Sequence, residues 1–316
     1  MVHTVSHTEP LQCSADDTWE AVKYLNLLLP TIGPDYFTKS FFLEGYGEPG
    51  SIRILQLGPA SAGFSVGEIK ERLDKIDDAN KTFSVTILEG DPRYRSFSAE
   101  IKFIPVGDTS CEAVWTATYE PVGDIGRPEH IKQLVVLIFK TLEQAVLSCK
   151  TMSHTEVDLA ASPDAIWDAF KRLDELLPKY WPEFFFSSTF LTGHGEVGSV
   201  RAVKIGSLFP DFDEVRERMD FIDDANKTLG YTVLEGNTGY PYFKVAYKFV
   251  PGATAFTTDA TWTGTYIPVG DIGPPEYVKQ IAIQVLKALV NAAKDNQLAQ
   301  NRLLVTQADA GAERSA

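Results

Sequence analysis

The chain has 316 residues, 44% of them hydrophobic and 23% charged, a balance that suits a globular protein and a length that favours two domains over one. A formal net charge of −14 with no basic cluster argues against a nucleic-acid partner and against anionic membrane surfaces, since both are gripped by grouped Lys and Arg. No apolar run approaches the roughly 18 residues that span a bilayer, so membrane insertion is not expected.

In chain order, an extended segment leads to Ser14, whose partner Asp17 three residues on predicts a capped helix start. That helix carries Trp19 and is expected to end at Leu28-Leu29-Pro30. A glycine-rich turn, Gly45-x-Gly47-x-x-Gly50, precedes the strand Ser51-Ile52-Arg53-Ile54-Leu55. Further on, Ile69, Glu71 and Leu73 alternate with Lys70, Arg72 and Asp74. Phe97, Ala99, Ile101 and Phe103 alternate with Ser96, Ser98, Glu100 and Lys102, the period of a half-buried strand. Apolar residues at three- and four-residue spacing then predict a long helix from Pro128 to about Cys149.

The whole order then repeats. Ser6-His7-Thr8-Glu9 returns as Ser153-His154-Thr155-Glu156, and the glycine turn returns as Gly193-x-Gly195-x-x-Gly198 before Ser199. Ile76-Asp77-Asp78-Ala79-Asn80-Lys81-Thr82 returns as Ile222 to Thr228, and Pro121 to Gly126 returns as Pro268 to Gly273. Ser162-Pro163 opens the second copy's first helix, which carries Trp167 and ends at Leu176-Leu177-Pro178; Pro274 to about Lys294 forms its last. The expected domains are residues 1–150 and 151–295, followed by a polar, Ala-rich disordered tail at 296–316. Each is an α+β unit whose antiparallel strands can curl around the final helix and leave a cavity.

The glycine turns match the dinucleotide fingerprint in form only, because a strand follows where a helix N-terminus is needed to meet a pyrophosphate. The five histidines, His3, His7, His130, His154 and His194, show no metal spacing, and no Ser/His/Asp set emerges. No metal and no cofactor is expected. Cys13, Cys111 and Cys149 read as reduced structural thiols, Met1 to Gln12 lacks the features of a secretory leader, and the Asn80 and Asn226 sequons read as polar turns. The expected location is cytoplasmic.

Charges on apolar faces are the strongest chemical signal. By period two, Glu217 points with Val215, Met219 and Phe221, and Glu71 with Ile69 and Leu73. Arg201 shares a face with Val203 and Ile205, and Arg53 with Leu55 and Leu57. Either charge buried alone costs several kcal/mol, so the four residues pair with one another, meet water in a cavity, or meet a ligand. One reading is a structural ion pair at a strand end; the other is Arg orienting a ligand oxygen while Glu moves a proton. Trp115 and Tyr119, Trp262 and Tyr266, and Phe97 and Phe243 form inward aromatic stripes that serve either as core or as cavity wall.

Each copy resembles the Bet v 1-like family, which includes birch pollen allergen, pathogenesis-related class ten and plant START-like proteins. The glycine turn before Ser51-Ile52-Arg53, the Glu89-Gly90 stretch and the long final helix carry the resemblance. It implies a helix-grip fold: a seven-stranded antiparallel sheet gripping the helix over an apolar cavity. Pro49 to Arg53 and Lys70 to Leu73 resemble plant lachrymatory factor synthases, which implies catalytic roles for Arg53 and Glu71 and, in the second copy, Arg201 and Glu217. That family's catalytic tyrosine falls on Phe97 and Phe243, with Tyr94 and Tyr240 nearby. Glu71-Arg72-Leu73-Asp74 with Asp77-Asp78 resembles the abscisic acid receptors, with Lys39 at their carboxylate lysine and Leu57-Gly58-Pro59-Ala60 partly echoing their gate. Ser187 replaces that lysine in the second copy, and Ile205-Gly206-Ser207-Leu208 lacks the gate proline.

The resulting expectation is a protein that binds a small apolar or amphipathic metabolite, as a cofactor-free lyase, isomerase or cyclase of plant specialised metabolism. Its alternative is a non-catalytic receptor, carrier or storage protein. The sequence names no protein partner.

Overall fold

A computed structural model describes residues 1–61, 63–206, 214–236, 240–268 and 273–313, with only the backbone considered for 297–313. Two compact units divide the chain, Met1–Cys149 and Lys150–Ala316. The first contains β1 (His3–Leu11), α1 (Ala15–Val22), α2 (Leu25–Ile32), β2 (Phe37–Glu44), β3 (Ile52–Leu57), β4 (Glu68–Asp77), β5 (Thr82–Glu89), β6 (Tyr94–Gly107), β7 (Ser110–Pro121) and α3 (Glu129–Ser148). Its seven strands form one sheet in the order β1-β7-β6-β5-β4-β3-β2, with every pairing antiparallel.

The second unit repeats this plan with β8 (Lys150–Leu159), α4 (Pro163–Phe170), α5 (Leu173–Tyr180), β9 (Phe185–Thr192), β10 (Val200–Ile205), β11 (Glu214–Asp223), β12 (Thr228–Glu235), β13 (Phe243–Pro251), β14 (Thr258–Tyr266) and α6 (Glu276–Glu313). Its sheet order is β8-β14-β13-β12-β11-β10-β9. The α+β helix-grip architecture expected from the sequence is present in both units. The final helix of each packs its apolar stripe towards the sheet: Leu134, Val135, Phe139 and Leu142 in α3, and Val285, Leu286 and Leu289 in α6 are buried.

Ser14 and Ser162 cap α1 and α4 as expected, accepting from the backbone N–H of Asp17 and Ala165. The single helix expected from Ser14 to Pro30 is instead two. Tyr24, at φ −117° and ψ 16°, breaks the spiral between α1 and α2, and Pro30 lies within α2 rather than at its end. The same break falls at Arg172, with Pro178 inside α5. At the C-terminus, α6 does not stop at the expected 295/296 boundary, and its backbone stays helical to Glu313.

Repeated motifs acquire structural causes. The indole N–H of Trp19 donates to Asp78 at 2.8 Å, and that of Trp167 to Asp224 at 2.7 Å, tying α1 and α4 to the turns after β4 and β11. Asp77 and Asp223 accept the backbone N–H of Asn80 and Asn226 at 3.0 Å, closing those turns. The glycine turn joins two strands: Gly45 sits at φ 76°, and a Cβ there would lie 2.2 Å from Ser51 Oγ. That hydroxyl accepts from Gly47 N at 3.1 Å, so the turn closes on its own serine.

Candidate functional site

The strand register places each Arg directly opposite its Glu, Arg53 on β3 against Glu71 on β4 and Arg201 on β10 against Glu217 on β11. All four are buried, between 5% and 9% exposed, and all four line a cavity between sheet and helix. The first cavity measures about 190 Å³ and the second about 120 Å³, well above the voids of a close-packed core. Arg53 Nε donates to Glu71 Oε1 at 2.7 Å, and its Nη2 donates to the same oxygen. In the second unit Arg201 Nε and Nη2 reach Glu217 Oε2 at 2.8 and 2.7 Å. The charges therefore meet each other on the cavity wall.

The second site has a further shell. Arg201 Nη1 donates to Asp174 Oδ1 on α5 at 3.0 Å, and Ser188 on β9 donates to the same carboxylate. Tyr231 on β12 lies under the guanidinium, its ring centroid 5.5 Å away. Burial opposes the Arg201 charge, but Glu217 and Asp174 outweigh it and raise its pKa. Burial also pushes Glu217 up, with Arg201 only partly offsetting the shift. Tyr231 and Tyr247 are likewise raised, first by desolvation and then by the Glu217 charge.

Among the other expected residues, Tyr94, Phe97 and Trp115 line the first cavity, and Phe243 and Trp262 the second. Tyr119 stacks on Phe97, and Tyr240 and Tyr266 pack edge-to-face with each other, so these three form the aromatic layer around the lining. The hydroxyl of Tyr240 donates to the Gly273 carbonyl at 2.6 Å. Lys39 is not brought to the site. A register shift between Phe37 and Lys39 leaves it exposed on β2. Phe221 also leaves the face of Glu217, because a bulge after Met219 turns it over Gly230, where no side chain stands in the way.

The gate-like stretch has a packing role. Gly58 N donates to Tyr36 O at 2.8 Å, and a Cβ on Gly58 would sit 2.3 Å from the Asp35 carbonyl. Gly206 repeats this against Phe184 and Glu183, while Ser207 and Leu208 lie outside the described residues.

Sequence reasoning missed Asp174, Tyr231 and a polar cluster beside the first cavity. There Arg93 Nε donates to Asp91 Oδ1 and Oδ2 at 2.8 and 2.9 Å, and His130 Nε2 lies 3.1 Å from Asp91 Oδ2. Burial pushes Asp91 up, but Arg93 overrides it and holds the carboxyl at about 2. Burial and the Arg93 charge push His130 down. Alternation along β12 from Leu229 to Val233 would have pointed to Tyr231; nothing local marks Asp174 or Asp91. Among the described residues no group of His, Cys, Asp and Glu could hold a metal ion, and no helix is long and apolar enough to cross a membrane.

Two sheets that each curl around a helix, with a cavity between sheet and helix, define a helix-grip protein of duplicated form. The pathogenesis-related protein Bet v 1 family matches residues 1–149, and the polyketide cyclase/dehydrase and lipid transport family matches 151–296. The chain belongs to the Bet v 1-like family, as two tandem domains. Ribonuclease 2 of Panax ginseng is 31% identical over 128 residues, 38% of this chain and 82% of that protein. The major allergens Mal d 1 of Malus domestica and Pyr c 1 of Pyrus communis are each 33% identical over 109 residues, 33% of this chain. The chain spans 66% of the length of each of those two relatives, just short of two thirds. Among solved structures, the di-domain ARO/CYC protein BexL is 14% identical with a TM-score of 0.45, covering 93% of this chain and 98% of its own. Truncated norcoclaurine synthase from Thalictrum flavum is 22% identical with a TM-score of 0.38, covering 46% of this chain and 94% of its own.

Proposed function

We propose that each domain encloses a small, largely apolar organic molecule and that the Arg–Glu pair on the cavity wall carries out cofactor-free proton transfer on it, as a lyase, isomerase or cyclase of plant specialised metabolism. The observation that carries this reading is the pairing of Arg53 with Glu71 and Arg201 with Glu217 at matched positions of two largely apolar cavities. The guanidinium orients a polar oxygen of the ligand, and the carboxyl beside it accepts or returns a proton. A carboxyl raised by burial, as Glu217 is, suits a proton shuttle near neutral pH. A non-catalytic binding protein is the second reading, favoured by Arg53 and Glu71 already satisfying each other.

Native mass spectrometry of the full chain incubated with a plant metabolite extract tests the proposal. The expected result is a captured metabolite whose released mass or structure changes on incubation with the protein. Recovery of every captured metabolite unchanged would leave the binding reading alone.

A further inference from the structure

The two cavities differ where their shapes otherwise correspond. Position by position, β5 aligns with β12 and β6 with β13, so Val85 stands where Tyr231 is and Ile101 where Tyr247 is. Likewise Asn26 on α2 takes the place of Asp174 on α5. The deep wall beside the Arg–Glu pair is thus aliphatic in the first domain and carries two phenols in the second. All four of these strand residues face their cavities. The bulk of two tyrosines in place of Val and Ile agrees with the smaller second cavity, about 120 Å³ against about 190 Å³.

Two hydroxyls on an apolar wall need a reason, because one left there without a partner is costly. Tyr231 and Tyr247 line the same cavity from the paired strands β12 and β13. Each phenol brings one O–H, so even when one donates to the other the second remains to donate to a ligand. Both stay protonated near neutral pH because burial raises them, so the pair acts as a donor. The neighbouring charges select what it can bind. Asp174 and Glu217 set two carboxyl groups against the single Arg201 guanidinium, which disfavours an anionic ligand end.

We propose that Tyr231 and Tyr247 form an oxygen-recognition site in the second cavity for a neutral carbonyl-bearing ligand, whereas the first cavity takes a ligand without that oxygen. The two domains would then hold different molecules. This rests on the reading that both cavities enclose ligands.

A matched set of probes tests it on the full chain: 2-acetylnaphthalene, 2-ethylnaphthalene and 2-naphthoate, titrated calorimetrically against wild type and the Y231F/Y247F variant. In wild type the ketone should bind one site about tenfold more tightly than the hydrocarbon does, the gain of one net hydrogen bond, and the naphthoate should show no such gain. The variant should lose that gain while binding 2-ethylnaphthalene as wild type does, which also reports that its cavity is intact. Equal affinity of ketone and hydrocarbon in wild type, or an unchanged ketone affinity in the variant, would overturn the oxygen site while leaving ligand binding standing. Failure of all three probes to bind would overturn the enclosing-cavity reading and this inference with it. A variant that no longer binds the hydrocarbon would be replaced by the single Y247F change, judged by the same ketone-to-hydrocarbon ratio.

Discussion

Arg201 and Glu217 form a buried ion pair on the cavity wall. Removing Arg201 leaves the Glu217 carboxyl without its partner in the wall, at a cost of about 3–5 kcal/mol, whereas removing Glu217 leaves Arg201 its second carboxylate, Asp174. Arg201→Leu deletes the charge that partly offsets the upward shift of Glu217, so its pKa climbs further. A carboxyl raised in the fold contributes most stability below its unfolded value of 4.5 and loses it as pH rises through the folded value. The Tm of this variant should therefore fall from pH 4.5 upward more steeply than that of wild type. The R201L/E217Q double variant should remove the slope. Thermal unfolding across that range checks it, and a pH-independent deficit would show that Glu217 does not feel Arg201.

Among the elements, strands were legible in proportion to their alternation. Glu71 and Glu217 are buried as period two expects, because β4 and β11 alternate apolar with charged residues; β10 is apolar on both faces, so Arg201 is marked only by being a charge within it. Period two misassigned Phe221, since a bulge changes the phase without any mark in composition. It could not find Asp174, whose importance depends on which face of α5 meets β10, a tertiary fact. The proline-marked helix end failed because Tyr24 and Arg172 break the spiral earlier. The repeated glycine of the gate-like segment is explained by close backbone approach. Gly58→Ala should cost about 1–3 kcal/mol, because its Cβ meets the fixed carbonyl of Asp35. Gly67→Ala, with nothing within 4 Å of its Cβ, should be nearly neutral. Denaturant midpoints for the two variants check the contrast; equal midpoints would mean that the Asp35 backbone yields freely.

For the whole molecule, duplication was readable from sequence because the repeated motifs occupy the turns, where Asp77, Asp223 and the glycine-turn serines Ser51 and Ser199 have fixed hydrogen-bonding jobs. Divergence was hidden because it sits on cavity walls, where Val, Ile and Tyr are all acceptable strand formers and only assembly of the sheet brings Tyr231 and Tyr247 beside Arg201. Two domains with the same pair and different walls support two cavities working on different ligands. The most direct test of the central claim is turnover of a captured metabolite by the E71Q/E217Q double variant at matched occupancy. The account predicts retained binding with turnover reduced by about 10²–10⁴, the usual weight of a positioned acid–base group. Turnover equal to wild type would contradict a proton-transfer role for both glutamates.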